Sequence, residues 1–215
     1  MAGPRIAVVD YGAGNLRSVA KALARSGLDA RVTSDASEVR AADAVVLPGV
    51  GAFADAAASL AAKGLDEAVR DAIESGRPYL GICLGLQLLF EESDEHGRTP
   101  GLGCLPGRVG RLPERDAAGA RVRVPHIGWN EVRFAGRHPV LAGLPAADCF
   151  YFVHAYRAIP AREEDVVGRT DHGVPFAAAV ARDNLFAVQF HPEKSQGAGR
   201  RLLDSFAAWV AGCRA

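Results

Sequence analysis

The sequence predicts an α/β fold: an open, mostly parallel sheet with helices on both faces and an antiparallel extension. Three observations carry this. Up to Phe90, short β-type runs alternate with helical patterns, the signature of a parallel sheet. After Phe90, β-type runs follow one another with no long helix between them, which implies mixed or antiparallel pairing. The stretch 78–90 changes hydrophobic period at Cys83, so a buried strand there turns into a helix.

Taken in order, 5–9 reads as the first strand, and a helix over 15–26 ends at Gly27, the expected C-cap residue. Strands at 30–33 and 44–47 follow, then helices at 53–62 and 65–75 divided by Gly64, then a strand at 79–82. Leu86, Leu89 and Phe90 recur at helical spacing after it. The segment 91–103 is charged and turn-rich; strands are expected at 108–112, 122–124, 131–134 and 149–156, with 114–120 as a hairpin tip. Strands at 166–170, 177–180 and 185–190 and a helix over 199–211 complete the chain. No repeat, low-complexity tract or composition shift marks a linker, so residues 1–215 are expected to form one domain.

Composition narrows the function classes. The 25 basic residues balance 25 acidic ones, which argues against nucleic acid or an anionic membrane as the main partner. Only Lys21, Lys63 and Lys194 of those basic residues are lysine. The four cysteines, Cys83, Cys104, Cys149 and Cys213, form no C-x-x-C pair, and no signal pattern precedes them, so they read as reduced thiols of a cytoplasmic protein. The early apolar run at 6–9 is far too short for a bilayer.

Gly81 and Gly85 flank Cys83 as G-x-C-x-G, the cysteine version of a nucleophile elbow, whose tight turn excludes neighbouring side chains and pushes the sulfur outward. A cysteine at a helix N-terminus also gains thiolate character from the dipole. The N–H of Leu84 stands just beyond it and could face an oxyanion. Free cysteine is equally a buried structural residue, and the elbow alone leaves both readings open.

Two glycine-rich turns were candidates for phosphate loops. In Gly12-Ala13-Gly14-Asn15-Leu16-Arg17 an arginine occupies the third glycine position, so the dinucleotide fingerprint fails. Pro48-Gly49-Val50-Gly51-Ala52-Phe53-Ala54 satisfies G-x-G-x-x-A, but no strand ending in an acidic residue follows it. No Walker lysine motif is present, and no cofactor is expected. Either this second turn is a plain tight turn, or Gly49 and Gly51 let the backbone approach a ligand and free the Val50 N–H to meet developing charge. Downstream, His191 would stand at a sheet edge, and Glu193 comes within its reach only if the chain turns at Pro192. A carboxylate there would fix the imidazole tautomer, making Cys83, His191 and Glu193 an activated-nucleophile constellation. The other histidines show no metal-ligand spacing.

The order P-G-V-G, G-I-C-L-G-L-Q, H-P-E resembles the triad-type (class I) glutamine amidotransferases. Asp10-Tyr11-Gly12-Ala13-Gly14-Asn15, Pro125-His126-Ile127-Gly128-Trp129-Asn130, Tyr151-Phe152-Val153-His154-Ala155-Tyr156 and His191-Pro192-Glu193-Lys194 are further similar to the glutaminase subunits of imidazole glycerol phosphate synthases. The fold that this implies is the flavodoxin-like class I amidotransferase fold. The resemblance implies Cys83 as nucleophile, His191 as proton shuttle, Glu193 as its orienting carboxylate, and the N–H groups of Val50 and Leu84 as oxyanion donors. It also implies that Gln87 and the backbone around Gly49, Gly51, Ala155 and Tyr156 grip L-glutamine. The implied partner is a (β/α)8-barrel cyclase in a heterodimer, which would receive ammonia through its core. Asn15, Trp129, Tyr151 and Lys194 are the candidates for its docking face, although Trp129 taken alone reads better as core. The alternatives are the glutaminase subunit of another class I synthase and a stand-alone cysteine hydrolase.

Overall fold

The computed structural model describes residues 3–213, so residues 1–2 and 214–215 of the expected domain lie outside the described residues. In chain order the regular elements are β1 Arg5–Val9, α1 Leu16–Arg25, β2 Asp29–Thr33, α2 Ala36–Ala41, β3 Ala44–Gly49, α3 Phe53–Ala62, α4 Leu65–Glu74, β4 Tyr79–Cys83 and α5 Leu84–Gln87. They continue with β5 Phe90–Ser93, β6 Thr99–Pro100, β7 Leu105–Arg111, β8 His126–Phe134, β9 Ala147–His154, β10 Tyr156–Pro160, β11 Val166–Asp171, β12 Pro175–Arg182, β13 Leu185–Val188 and α6 Gln196–Gly212.

A nine-stranded sheet runs in the order β2-β1-β3-β4-β13-β12-β11-β8-β9. Its first five strands are parallel and the remaining pairings antiparallel; four of the five precede Phe90, and β13, from the later part of the chain, joins them beside β4. Alternation along β1 shows why both faces carry helices. Ile6 and Val8 pack with Val19 and Leu23 of α1 and Leu202 and Phe206 of α6, whereas Ala7 and Val9 pack with Val39 of α2, Leu60 of α3 and Val69 of α4.

Four expectations need correction. The segment 91–103 contributes strands to a second, four-stranded sheet, β10-β7-β5-β6, because pairing of β5 with β7 overrides its polar composition. The run at 149–156 is two strands: it breaks at Ala155, whose carbonyl accepts the Leu112 N–H at 2.8 Å, and the chain passes there from the large sheet to the small one. Residues 122–124 form no strand. Arg115 and Arg121 make a single bridge at the hairpin, and Pro125 next along the chain has no N–H for a ladder. The helix after Cys83 is a single turn, because the carbonyls of Leu88 and Leu89 accept the N–H groups of Leu102 (2.7 Å) and Leu105 (2.9 Å). Helix α2 is an addition; Asp35 caps it by accepting the Ser37 N–H at 2.7 Å. Among the described residues no helix is long and apolar enough to cross a membrane.

Candidate active site

Cys83 ends β4 with φ 55° and ψ −105°, a left-handed conformation that a side-chain-bearing residue adopts only at a cost of about 1–3 kcal/mol. The flanking glycines make this turn possible. A Cβ on Gly85 would stand 1.8 Å from the Leu47 carbonyl oxygen, and one on Gly81 would stand 2.6 Å from the Gly85 carbonyl oxygen. G-x-C-x-G is therefore a packing requirement here: β3 and the elbow approach more closely than any side chain allows.

Beyond β13 the chain bends at Gln189 and Phe190, is extended at His191 and then turns through Pro192–Lys194. His191 Nδ1 pairs with Glu193 Oε1 at 2.8 Å, both side chains being buried. Buried Ser195 ties this turn to β9, accepting the Tyr151 N–H (3.0 Å) and donating to the His191 carbonyl (2.6 Å). Burial alone would lower the His191 pKa, but hydrogen bonding to Cys83 and Glu193 and their charges outweigh it and lift it to about 9. His191 Nε2 makes no hydrogen bond of ordinary geometry, so the Cys83 contact is one of proximity, poised rather than closed. The turn has thus done what the sequence left conditional, bringing His191 and Glu193 together beside Cys83.

Cys83 opens onto a cavity of about 450 Å³ lined by Val50, Gly51, Leu84, Gln87, Glu95, Pro125, Val153, His154, Ala155, Tyr156 and Lys194. Other clefts of comparable size, such as that between α3 and β6, are lined by neither cysteine nor histidine. Gly49 lies behind the wall: a Cβ there would meet the Tyr11 hydroxyl at 2.4 Å and Leu84 Cβ at 2.8 Å. The Val50 N–H lies near the buried Tyr11 hydroxyl without a well-directed hydrogen bond. Burial first, then the charge of Cys83, raises the phenol pKa far above its ordinary value, so Tyr11 stays neutral. Gln87 Nε2 donates to the Tyr156 carbonyl (2.9 Å) and to Gln189 Oε1 (3.0 Å), which leaves its own Oε1 as the acceptor available to a ligand.

Of the proposed docking residues, Trp129 is 51 % exposed, so the core reading fails for it. It pairs across the strands with Tyr151, ring centroids 6.2 Å apart, and Lys194 Nζ stands 5.9 Å from the Tyr151 ring centre. Asn15 is exposed at the start of α1 and its side chain makes no cap. Sequence reasoning missed Tyr11, Glu95, Gln189 and Ser195. Glu95 accepts the Phe53 N–H at 2.7 Å and so pins the start of α3 beside the Gly51 turn. Gln189, a polar residue inside an otherwise apolar strand run, carried a readable signal; Glu95, in a charged loop, carried none. Among the described residues no group of His, Cys, Asp and Glu is arranged to hold a metal.

The family model for class-I glutamine amidotransferase matches residues 7–208. The chain is 53 % identical over 205 residues to the imidazole glycerol phosphate synthase subunit HisH of Moorella thermoacetica, covering 95 % of each chain. It is 54 % identical over 209 residues to the subunit of the same name from Methylococcus capsulatus, covering 95 % of this chain and 96 % of that one. Among solved structures it resembles one described as a glutamine amidotransferase, with TM-score 0.74 and 22 % identity, covering 96 % of this chain and 98 % of that one. The glutaminase domain of Trypanosoma brucei CTPS gives a TM-score of 0.70 at 19 % identity, covering 97 % and 94 %. At these identities the two structures speak for the fold.

Proposed function

The chain belongs to the class-I glutamine amidotransferase family, and on that premise we propose that it is the glutaminase subunit of an imidazole glycerol phosphate synthase. The relatives' names as subunits of that synthase support a second subunit, and we take this to be a (β/α)8-barrel cyclase forming a heterodimer with it. The observation that carries the chemistry is the strained Cys83 beside the buried His191–Glu193 pair at the wall of a cavity.

Cys83 sulfur attacks the side-chain amide carbon of L-glutamine. Charge developing on the amide oxygen meets the N–H groups of Leu84 and Val50. His191, which holds a proton well at neutral pH because of its neighbours, delivers it to the departing nitrogen, and ammonia leaves. Water then adds to the γ-glutamyl thioester while His191 takes its proton; the C–S bond breaks and glutamate departs. Gln87 Oε1 and the backbone at Gly51, Ala155 and Tyr156 hold the amino-acid end of glutamine, with Gly49 behind them supporting the turn. The ammonia passes to the cyclase, which makes imidazole glycerol phosphate and an aminoimidazole carboxamide ribotide for histidine biosynthesis.

Cys83→Ala in the complex is expected to abolish glutamine-dependent synthesis and leave ammonia-dependent synthesis intact. Glutamine hydrolysis persisting near the wild-type rate in the purified variant would overturn the assignment.

A further inference from the structure

Gln189 and His191, on the bent segment after β13, both lie against Cys83, while Phe190 between them packs on the rings of Phe150 and Phe152. Gln189 is fully buried, and its Nε2 lies 3.6 Å from Cys83 Sγ. We propose that Gln189 is a further catalytic residue of this site, holding the attacking sulfur as thiolate by donating an amide N–H to it. The proposal rests on Cys83 being the nucleophile, as proposed above.

The orientation of that amide is fixed by its neighbours. The Tyr156 carbonyl can only accept. It takes the Nδ1–H of His154 at 2.9 Å and the Nε2–H of Gln87 at 2.9 Å. Turning Gln87 over would set its oxygen against that carbonyl, so its nitrogen stays there and also donates to Gln189 Oε1. The oxygen of Gln189 is thereby committed to Gln87, and only its NH2 group can face the sulfur. His154 is locked in the same sense: with Nδ1 protonated and the ring neutral, its Nε2 accepts from His126 Nδ1 at 3.0 Å. Each step of this buried chain has one donor and one acceptor, and reversing any of them leaves two acceptors or two donors opposed.

The chemistry favours this role over filling space. A buried amide costs free energy that an aliphatic side chain of the same size would not. What the amide adds is an N–H directed at sulfur, and a hydrogen bond to a charged acceptor is stronger than one to its neutral form, so the donor favours thiolate over thiol. Gln189 does not line the cavity, so its effect falls on the reactivity of the sulfur and not on glutamine affinity.

The test uses Gln189→Met and Gln189→Glu, as full chains with the cyclase for turnover, and alone for iodoacetamide labelling of Cys83 followed by peptide mass. Both are expected to lower kcat for glutamine about tenfold, the effect of losing one hydrogen bond to a charged group, with KM changed less than about twofold. The curve of Cys83 labelling against pH is expected to move to higher pH, further for Gln189→Glu, which sets a carboxylate beside the sulfur. If Gln189→Met fails to fold, the isosteric Gln189→Glu decides. Wild-type labelling and kcat in a folded variant, or a loss equal at every pH as a packing defect would give, overturns the proposal. Neither result touches the assignment of Cys83, which is tested separately by Cys83→Ala.

Discussion

A histidine buried between a carboxylate and a thiol keeps its proton far longer than one in water. The His191 pKa is lifted to about 9 from the ordinary 6.5 or so by Cys83 and Glu193, against the opposing effect of burial. The stabilisation this gives the fold is fully present below about pH 6.5 and is lost as pH rises through about 9. In the mechanism proposed above the same proton serves the departing ammonia, so turnover of glutamine by the complex is expected to hold to about pH 9 and then fall roughly tenfold per unit. Glu193→Gln removes one of the two groups that hold the proton, so the falling limb is expected at lower pH, with a smaller loss at pH 7 than His191→Ala causes. An unmoved limb in Glu193→Gln would remove the carboxylate from this role. Tyr11 poses a second question at this scale. Its hydroxyl lies near the Val50 N–H, the group proposed to meet the oxyanion, and no other described partner takes it. Tyr11→Phe is expected to raise glutamine hydrolysis by the free subunit by up to about tenfold, part of the ~10²–10³ that one such donor is worth. An unchanged or lower basal rate would show that Tyr11 does not hold the turn back.

The elements show why the two glycines of the elbow were legible in the sequence while their cause was not. G-x-C-x-G announces a tight turn, but the reason lies 38 residues earlier in the chain, in the Leu47 carbonyl that a Gly85 Cβ would strike at 1.8 Å. That atom belongs to the backbone of a paired strand and cannot swing aside, so Gly85→Ala is expected to destabilise the protein by about 3 kcal/mol or more, read from its urea midpoint. A midpoint near wild type would mean that β3 gives way. Most of the parallel half of the sheet was legible because period and punctuation are local signals: β1, α3 and α4 fall within a residue of their expected bounds, whereas the short α2 and the parallel place of β13 beside β4 carried no such signal. The second sheet was not, because β5 forms only by pairing with β6 and β7, and most of its own residues read as a charged loop. The break at Ala155 was hidden for the same reason. Tyr151 to Tyr156 is a continuous apolar and aromatic run, and only the layout of two sheets decides where it changes partner. The cavity rim is built at that break, so the presence of Ala155 and Tyr156 in the site was expected from resemblance and not from pattern.

For the whole molecule the question is what covers the edge on which the proposed chemistry releases ammonia. Val50, 38 % exposed, Ile127, 61 %, and Trp129, 51 %, are three of the four large hydrophobic side chains exposed among the described residues. Ile127 and Trp129 alternate on β8, so they share one face of the sheet; Trp129 stacks edge-on against Tyr151, and Lys194 reaches from the cavity wall to the same ring. Tyr151 is joined to the catalytic turn as well, since its carbonyl accepts the His191 N–H at 2.9 Å. Trp129 thus packs on Tyr151, and Tyr151 is hydrogen-bonded to the backbone of His191, so a partner that clamps Trp129 and Tyr151 also steadies His191. Aromatic residues with a fixed geometry are what interface hot spots are made of, and a lysine over a tyrosine ring keeps its charge available to an acidic group on the partner. Trp129→Ala and Lys194→Ala are each expected to weaken the seal, so that ammonia escapes and the glutamate formed exceeds the imidazole glycerol phosphate formed, with Trp129→Ala also loosening the complex by about 2 kcal/mol or more, the threshold for a hot spot. The measurement is the ratio of the two products at saturating glutamine and nucleotide, alongside the Kd of the complex. Wild-type ratio and Kd in both variants would place the docking face elsewhere, and would leave the exposure of Ile127 and Trp129 without a cause in this assembly.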